Sequence, residues 1–148
     1  MWTVTDRRSH ALRDARGFTL VEVLTVVLII AILAALALPI FLRQRTMAQD
    51  AEAQSTLSAA ALAFASYNVE HETYDATPAE LAGIDASLNA AHALVTKGTG
   101  STWEAEERSI SGTVFSIRYD GSFPATRDCS RPGQGRCRAT PDAYGNRW

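Results

Sequence analysis

The residues best placed to do chemistry are one acid and two thiols. Glu22 is the only charged residue between Arg16 and Arg43. A carboxylate near the middle of a bilayer costs about 2.5–3.5 kcal/mol on insertion scales, and such groups persist where they find a partner. Near the start of a span an acid can also snorkel to the headgroups. Cys129 and Cys137 are the only cysteines. On the outer side of a membrane, where disulfides persist, a bridge between them would close a short loop worth about 2.5 kcal/mol in the chain-entropy model. They lack a second pair of zinc ligands, because His10, His71 and His92 are scattered. No G-x-S-x-G elbow, P-loop, H-E-x-x-H or dinucleotide fingerprint occurs, and Gly98-Thr99-Gly100 reads as a turn. The sequence calls for no catalytic residue, no metal and no cofactor, and so for a protein that is not an enzyme.

The elements that carry these residues follow from hydropathy. A content of 47% hydrophobic residues is ordinary for one domain, but here it is unevenly spread. Residues 23–42 hold no charge, and only Thr25 and Pro39 interrupt their apolar character. As a helix this stretch spans roughly 30 Å, the thickness of a bilayer's hydrocarbon core. Arg7, Arg8, Arg13 and Arg16 outweigh Asp6 and Asp14 ahead of it, which places the N-terminus in the cytoplasm and the remainder outside. A cleavable secretory signal is the competing reading, since Ala35-Leu36-Ala37 imitates its cleavage site. The apolar run is too long for that, it contains Glu22, and Leu38-Pro39 follows the alanines awkwardly.

Gly17-Phe18-Thr19-Leu20-Val21-Glu22, at the head of an apolar span and behind a short basic leader, resembles the type III signal of type IV pilins and their relatives. The resemblance implies that a membrane-embedded prepilin peptidase cuts between Gly17 and Phe18 and methylates the new amine of Phe18. It also implies a role for Glu22. The amine would lie four residues away, where helical neighbours share a face, and an acid in the first turn suits the helix dipole. In a filament the family's acid is thought to meet the amine of a neighbouring subunit, which would reward docking and fix axial register. Alanines such as Ala31 and Ala35 allow close helix packing. Pro39 stands where the family commonly has a proline and where the helix kinks or melts on assembly; it removes the amide that would bond to Ala35.

The implied layout is a cleaved leader at 1–17, a transmembrane or filament-core half-helix at 18–42 and an amphipathic half-helix at 43–72. A head with an antiparallel sheet follows at 73–126, and a disulfide-bracketed tail at 127–148. The fold class is α+β. Leu57, Ala60, Ala61, Phe64, Ala65 and Tyr67 recur at helical spacing, with Phe64 and Tyr67 read as plain core. Thr77 caps a short helix beginning at Pro78. Strands are expected at 93–97, at 102–110 and, most clearly, at 113–119. Asp120-Gly121 signals a hairpin whose return strand starts at Ser122-Phe123 and is cut short by Pro124.

Charge is divided. Residues 50–107 hold ten acids against one lysine, whereas 127–148 hold five arginines against two aspartates. The plain reading is a solvated surface; the sharper one sets the basic tail of one head against the acidic flank of the next. Contact of a flexible tail with DNA, through Arg131, Arg136, Arg138, Tyr144 and Trp148, is a weaker reading. The expected partners are copies of the chain itself in a filament, the prepilin peptidase, the inner-membrane assembly machinery and the membrane before assembly. Location would shift from cytoplasmic membrane to extracellular pilus. Residues 142–148 also faintly resemble the Asp-Pro-Trp-Gly-Asn-Pro-Tyr element of pseudopilins from type II secretion, though the tail has no cluster of acids for calcium. A pseudopilin and a monomeric signal-anchored binding domain are therefore the alternatives.

Overall fold

The structure, a computed structural model, describes residues 17–148. The leader's Arg7, Arg8, Arg13 and Arg16 lie outside the described residues. The chain divides into one unit up to Leu38 and a second from Pro39. Helix α1, Leu20–His71, contributes to both.

In the first unit the helix starts where the sequence supplies a cap. Thr19 Oγ1 accepts the Glu22 amide at 3.2 Å, and Thr19 O accepts that of Val23 at 3.3 Å. The apolar side chains that follow are all exposed, and the most hydrophobic window has mean hydropathy 3.0 with none of it buried. A helix that is apolar on all sides and exposed along its length fits a membrane anchor.

In the second unit α1 becomes one-sided. Asp50, Ala53, Leu57, Ala60 and Phe64 are buried, at spacings of three and four that keep them on one face. The helix ends at His71 because Glu72 turns left-handed (φ 56°), with its amide bonded to Asn68. A four-stranded antiparallel sheet packs on this face: β1 Val95–Thr99, β2 Thr102–Arg108, β3 Val114–Tyr119 and β4 Thr126–Cys129, in spatial order 1-2-3-4. Alternation brings Trp103, Ala105 and Glu107 of β2 opposite Tyr119, Ile117 and Phe115 of β3. Phe64 stacks on Trp103 with ring centres 5.0 Å apart.

Three expectations need correction. Strand β1 runs through Gly98 to Thr99 instead of stopping before the glycines. Gly98 is required there by a close backbone approach, since a Cβ would overlap the Tyr74 carbonyl. The connection after β3 is longer than a hairpin turn, and β4 starts only at Thr126. Asp120 Oδ1 accepts both the Ser122 amide (3.1 Å) and hydroxyl (2.6 Å), which curls the chain locally, and Pro124 offers no amide for pairing. Finally, the tail is folded, not flexible. The Trp148 indole N–H donates to Ser116 O and Asp128 O, its ring meets Phe115 edge-on, and the Arg147 amide donates to Arg127 O.

Helix α2, Pro78–Ile84, opens with a full capping box. Thr77 Oγ1 accepts the Glu80 amide, and Glu80 Oε2 accepts the Thr77 amide at 2.7 Å. The Thr77 hydroxyl and amide hold the Glu80 carboxyl below its ordinary range. Hydrogen bonds from Thr73, Ser87, Ser122 and the Asn146 amide do the same for Asp75, Asp85, Asp120 and Asp142. A depressed folded-state value means that the unfolded chain binds protons first as pH falls. Stability from these groups is therefore complete above the unfolded values and is lost below about pH 4. Thermal midpoints should be level from neutral pH down to about 5 and then decline. Thr77→Ala should cost about 1 kcal/mol and shrink the acid-side decline, which the same melts would register.

Candidate functional site

Gly17, Phe18 and Thr19 precede the first helical residue, so the Gly17–Phe18 bond stands outside α1. Phe18 is 82% exposed, and a side chain at Gly17 would meet nothing within 4 Å. A bond outside the helix, with open space beside Gly17, is accessible to a protease. Glu22 lies in the first turn of α1, exposed among apolar neighbours, and its carbonyl accepts the Thr25 hydroxyl at 2.9 Å. Its charge favours the positive end of the helix dipole. Pro39 lies inside α1, where it supplies no amide hydrogen.

A second constellation, in the head-bearing unit, is a clasp centred on a buried acid. Asp50 has 0% exposure. Its Oδ1 accepts the hydroxyls of Ser109 (2.8 Å) and Ser111 (2.5 Å), and its Oδ2 accepts the Arg136 amide (3.1 Å). One carboxylate thus joins α1, the β2–β3 turn and the loop between the cysteines. Cys129 and Cys137 form a disulfide, both half-cystines are buried, and their Cα atoms are 5.8 Å apart. Within the loop they bracket, Gly135 (φ 55°) passes so close to Asp50 that a Cβ would collide with the carboxylate.

The surface reading of the acidic stretch therefore fails at two positions, Asp50 and Glu107, which are 0% and 2% exposed. The signal was in the pattern. Asp50 falls in phase with Ala53, Leu57, Ala60 and Phe64, and Glu107 alternates with Trp103 and Ala105. The tail's basic residues are also engaged within the chain. Arg136 Nε donates to Gln54 (2.8 Å), Arg131 Nη1 donates to Ser111 O (3.3 Å), and Arg147 Nε lies 3.2 Å from Asp128. Arg127 lies over the Trp148 ring at 5.2 Å. These contacts hold the arginine side chains in place but, apart from Arg147 on Asp128, their partners are neutral, so the tail keeps its net positive charge.

Comparison with known proteins bears on the N-terminal site. Residues 12–38 match the family described as the prokaryotic N-terminal methylation motif. The chain thus carries this N-terminal methylation motif, at the head of a long helix that precedes an antiparallel sheet. Its relatives include the type IV wide pilus major component PilA4 of Thermus thermophilus, 39% identical over 70 residues, covering 47% of this chain and 53% of that one. The type IV major pilin protein PilA of Myxococcus xanthus is 42% identical over 59 residues, covering 40% of this chain and 27% of that one. The chain spans about half the length of the first of these relatives and less of the second. No solved structure matches it.

Proposed function

We propose that the chain is a prepilin, a structural subunit of a type IV pilus. A prepilin peptidase removes 1–17 and methylates the amine of Phe18. The subunit waits in the cytoplasmic membrane, N-terminus inside, until the inner-membrane assembly machinery transfers it into a filament of identical copies outside. Glu22 meets the Phe18 amine of a neighbouring copy, and α1 loosens at Pro39 as it exchanges lipid for protein. The observation that carries this reading is Gly17-Phe18-Thr19-Leu20-Val21-Glu22 at the mouth of an apolar helix whose side chains find no cover among the described residues. None of the residues is assigned to catalysis.

Intact mass of the protein from its own cells tests this reading. The expected species begins at Phe18, carries one added methyl group and lacks two hydrogens at the cysteines. An uncut chain, or one beginning at Leu38, would overturn it. The fold around Asp142 to Asn146, where Asp142 Oδ1 accepts the amides of Tyr144 and Asn146, keeps the secretion pseudopilin as a second reading. Abundance in filaments sheared from the cell surface decides between the two.

A further inference from the structure

A small cleft of about 110 Å³ lies beside the buried face of α1, bordered by Gln49, Glu52 and Thr56, by His92 and by Glu107. Glu107 Oε1 accepts the amides of His92 and Ala93, each at 3.1 Å. Its other oxygen, Oε2, is buried and has no hydrogen-bond partner among the described residues. An unfilled acceptor on a buried carboxylate costs free energy until a donor reaches it. Glu52 adds a second carboxylate at the exposed lip. Two carboxylates at one cleft, one with an unfilled acceptor, suit a cation that carries several N–H donors. Arg108 also lines the cleft, but among the described residues it makes no ion pair with either acid.

We propose that this cleft receives the Arg43 guanidinium of a second copy of the chain in the filament, an inference that rests on the pilin reading above. Arg43 is exposed, directly follows the apolar run at Leu42 and has no ion-pair partner among the described residues. In the membrane such a side chain reaches headgroup phosphates. Leaving lipid removes those anions, and a planar guanidinium fork is matched to carboxylates as replacements.

The helical geometry agrees. At 3.6 residues per turn Arg43 lies roughly 150° around α1 from the Gln49, Glu52 and Thr56 stripe. Donor and acceptor thus occupy different faces. The contact is heterologous and leaves a free face at each end, the kind that propagates.

The test uses filaments of the full chain carrying Arg43→Cys and Glu52→Cys together, with the native disulfide intact. Mild oxidation should give a ladder of linked subunits on non-reducing gels, and neither single variant should. In parallel, Arg43→Glu and Glu52→Arg should each lower the yield of sheared filaments by about ten-fold, and the double exchange should restore it. Both positions are exposed, so head melting should be unchanged in every variant, which separates assembly from folding. Filaments from the parent with no ladder would overturn the contact and leave the pilin reading standing. Loss of filaments on chelation, without a ladder, would assign the cleft to a metal cation and also overturn it. A parent that forms no filaments at all would remove both.

Discussion

Glu22→Ala should leave a chain that is inserted, cut and methylated but does not polymerise. The proposed cut falls at the bond between Gly17 and Phe18, which precedes α1 and stands apart from the Glu22 carboxylate in sequence. Insertion depends on apolar residues, and removing a charge favours it. In the proposed filament Glu22 alone would supply an anion where a docked neighbour brings an amine. Removing one partner of an ion pair buried away from water costs about 3–5 kcal/mol, which is roughly a hundred- to several-thousand-fold in the equilibrium for adding each subunit. Sheared filaments should fall below detection while the membrane fraction holds processed subunit at normal levels. Filament yield equal to the parent's would remove Glu22 from assembly. Glu22→Asp, which keeps the charge but shortens its reach, should fall between the two.

The second large effect belongs to the head. Asp50→Ala would leave the hydroxyls of Ser109 and Ser111 and the amide of Arg136 without their acceptor. Hydrogen bonds to a charged group contribute about 1.5–3 kcal/mol each, and relaxation recovers part of the loss, so about 3–5 kcal/mol is expected overall. For a domain of this size that lowers the thermal midpoint by about 10 °C or more. Trp103 fluorescence, from a ring stacked in the core, would follow the melt. Asp50→Asn retains one acceptor oxygen and should lose less. An unchanged midpoint in Asp50→Ala would show that the clasp contributes nothing to holding the disulfide loop on the helix.

Features set by neighbours in sequence were legible before any coordinates. The apolar span, the Thr77 cap and strand β3 each follow from a few consecutive residues, and the α+β plan follows from their order. The buried acids were not. Asp50 meets partners 59, 61 and 86 residues away, and composition alone reads it as one more surface charge. The loop of 120–125 was missed because Asp120 bonds to Ser122 in preference to closing a two-residue turn. The tail's order was missed because Trp148 finds its acceptors on β3 and just before Cys129, contacts no local rule supplies. At the N-terminal site the six residues from Gly17 to Glu22 carried the signal only together with the basic leader before them and the apolar run after them.

The two borders of the sheet have different fates. Beyond β4 the Arg147 amide already occupies the Arg127 carbonyl, so that side is sealed by the chain's own tail. Beyond β1 there is no further strand among the described residues, and the middle of that strand is Lys97, the only lysine in the molecule. A cation at an open border discourages strand-to-strand annealing. Copies of the head can therefore crowd together with less tendency to anneal sideways into amyloid-like stacks.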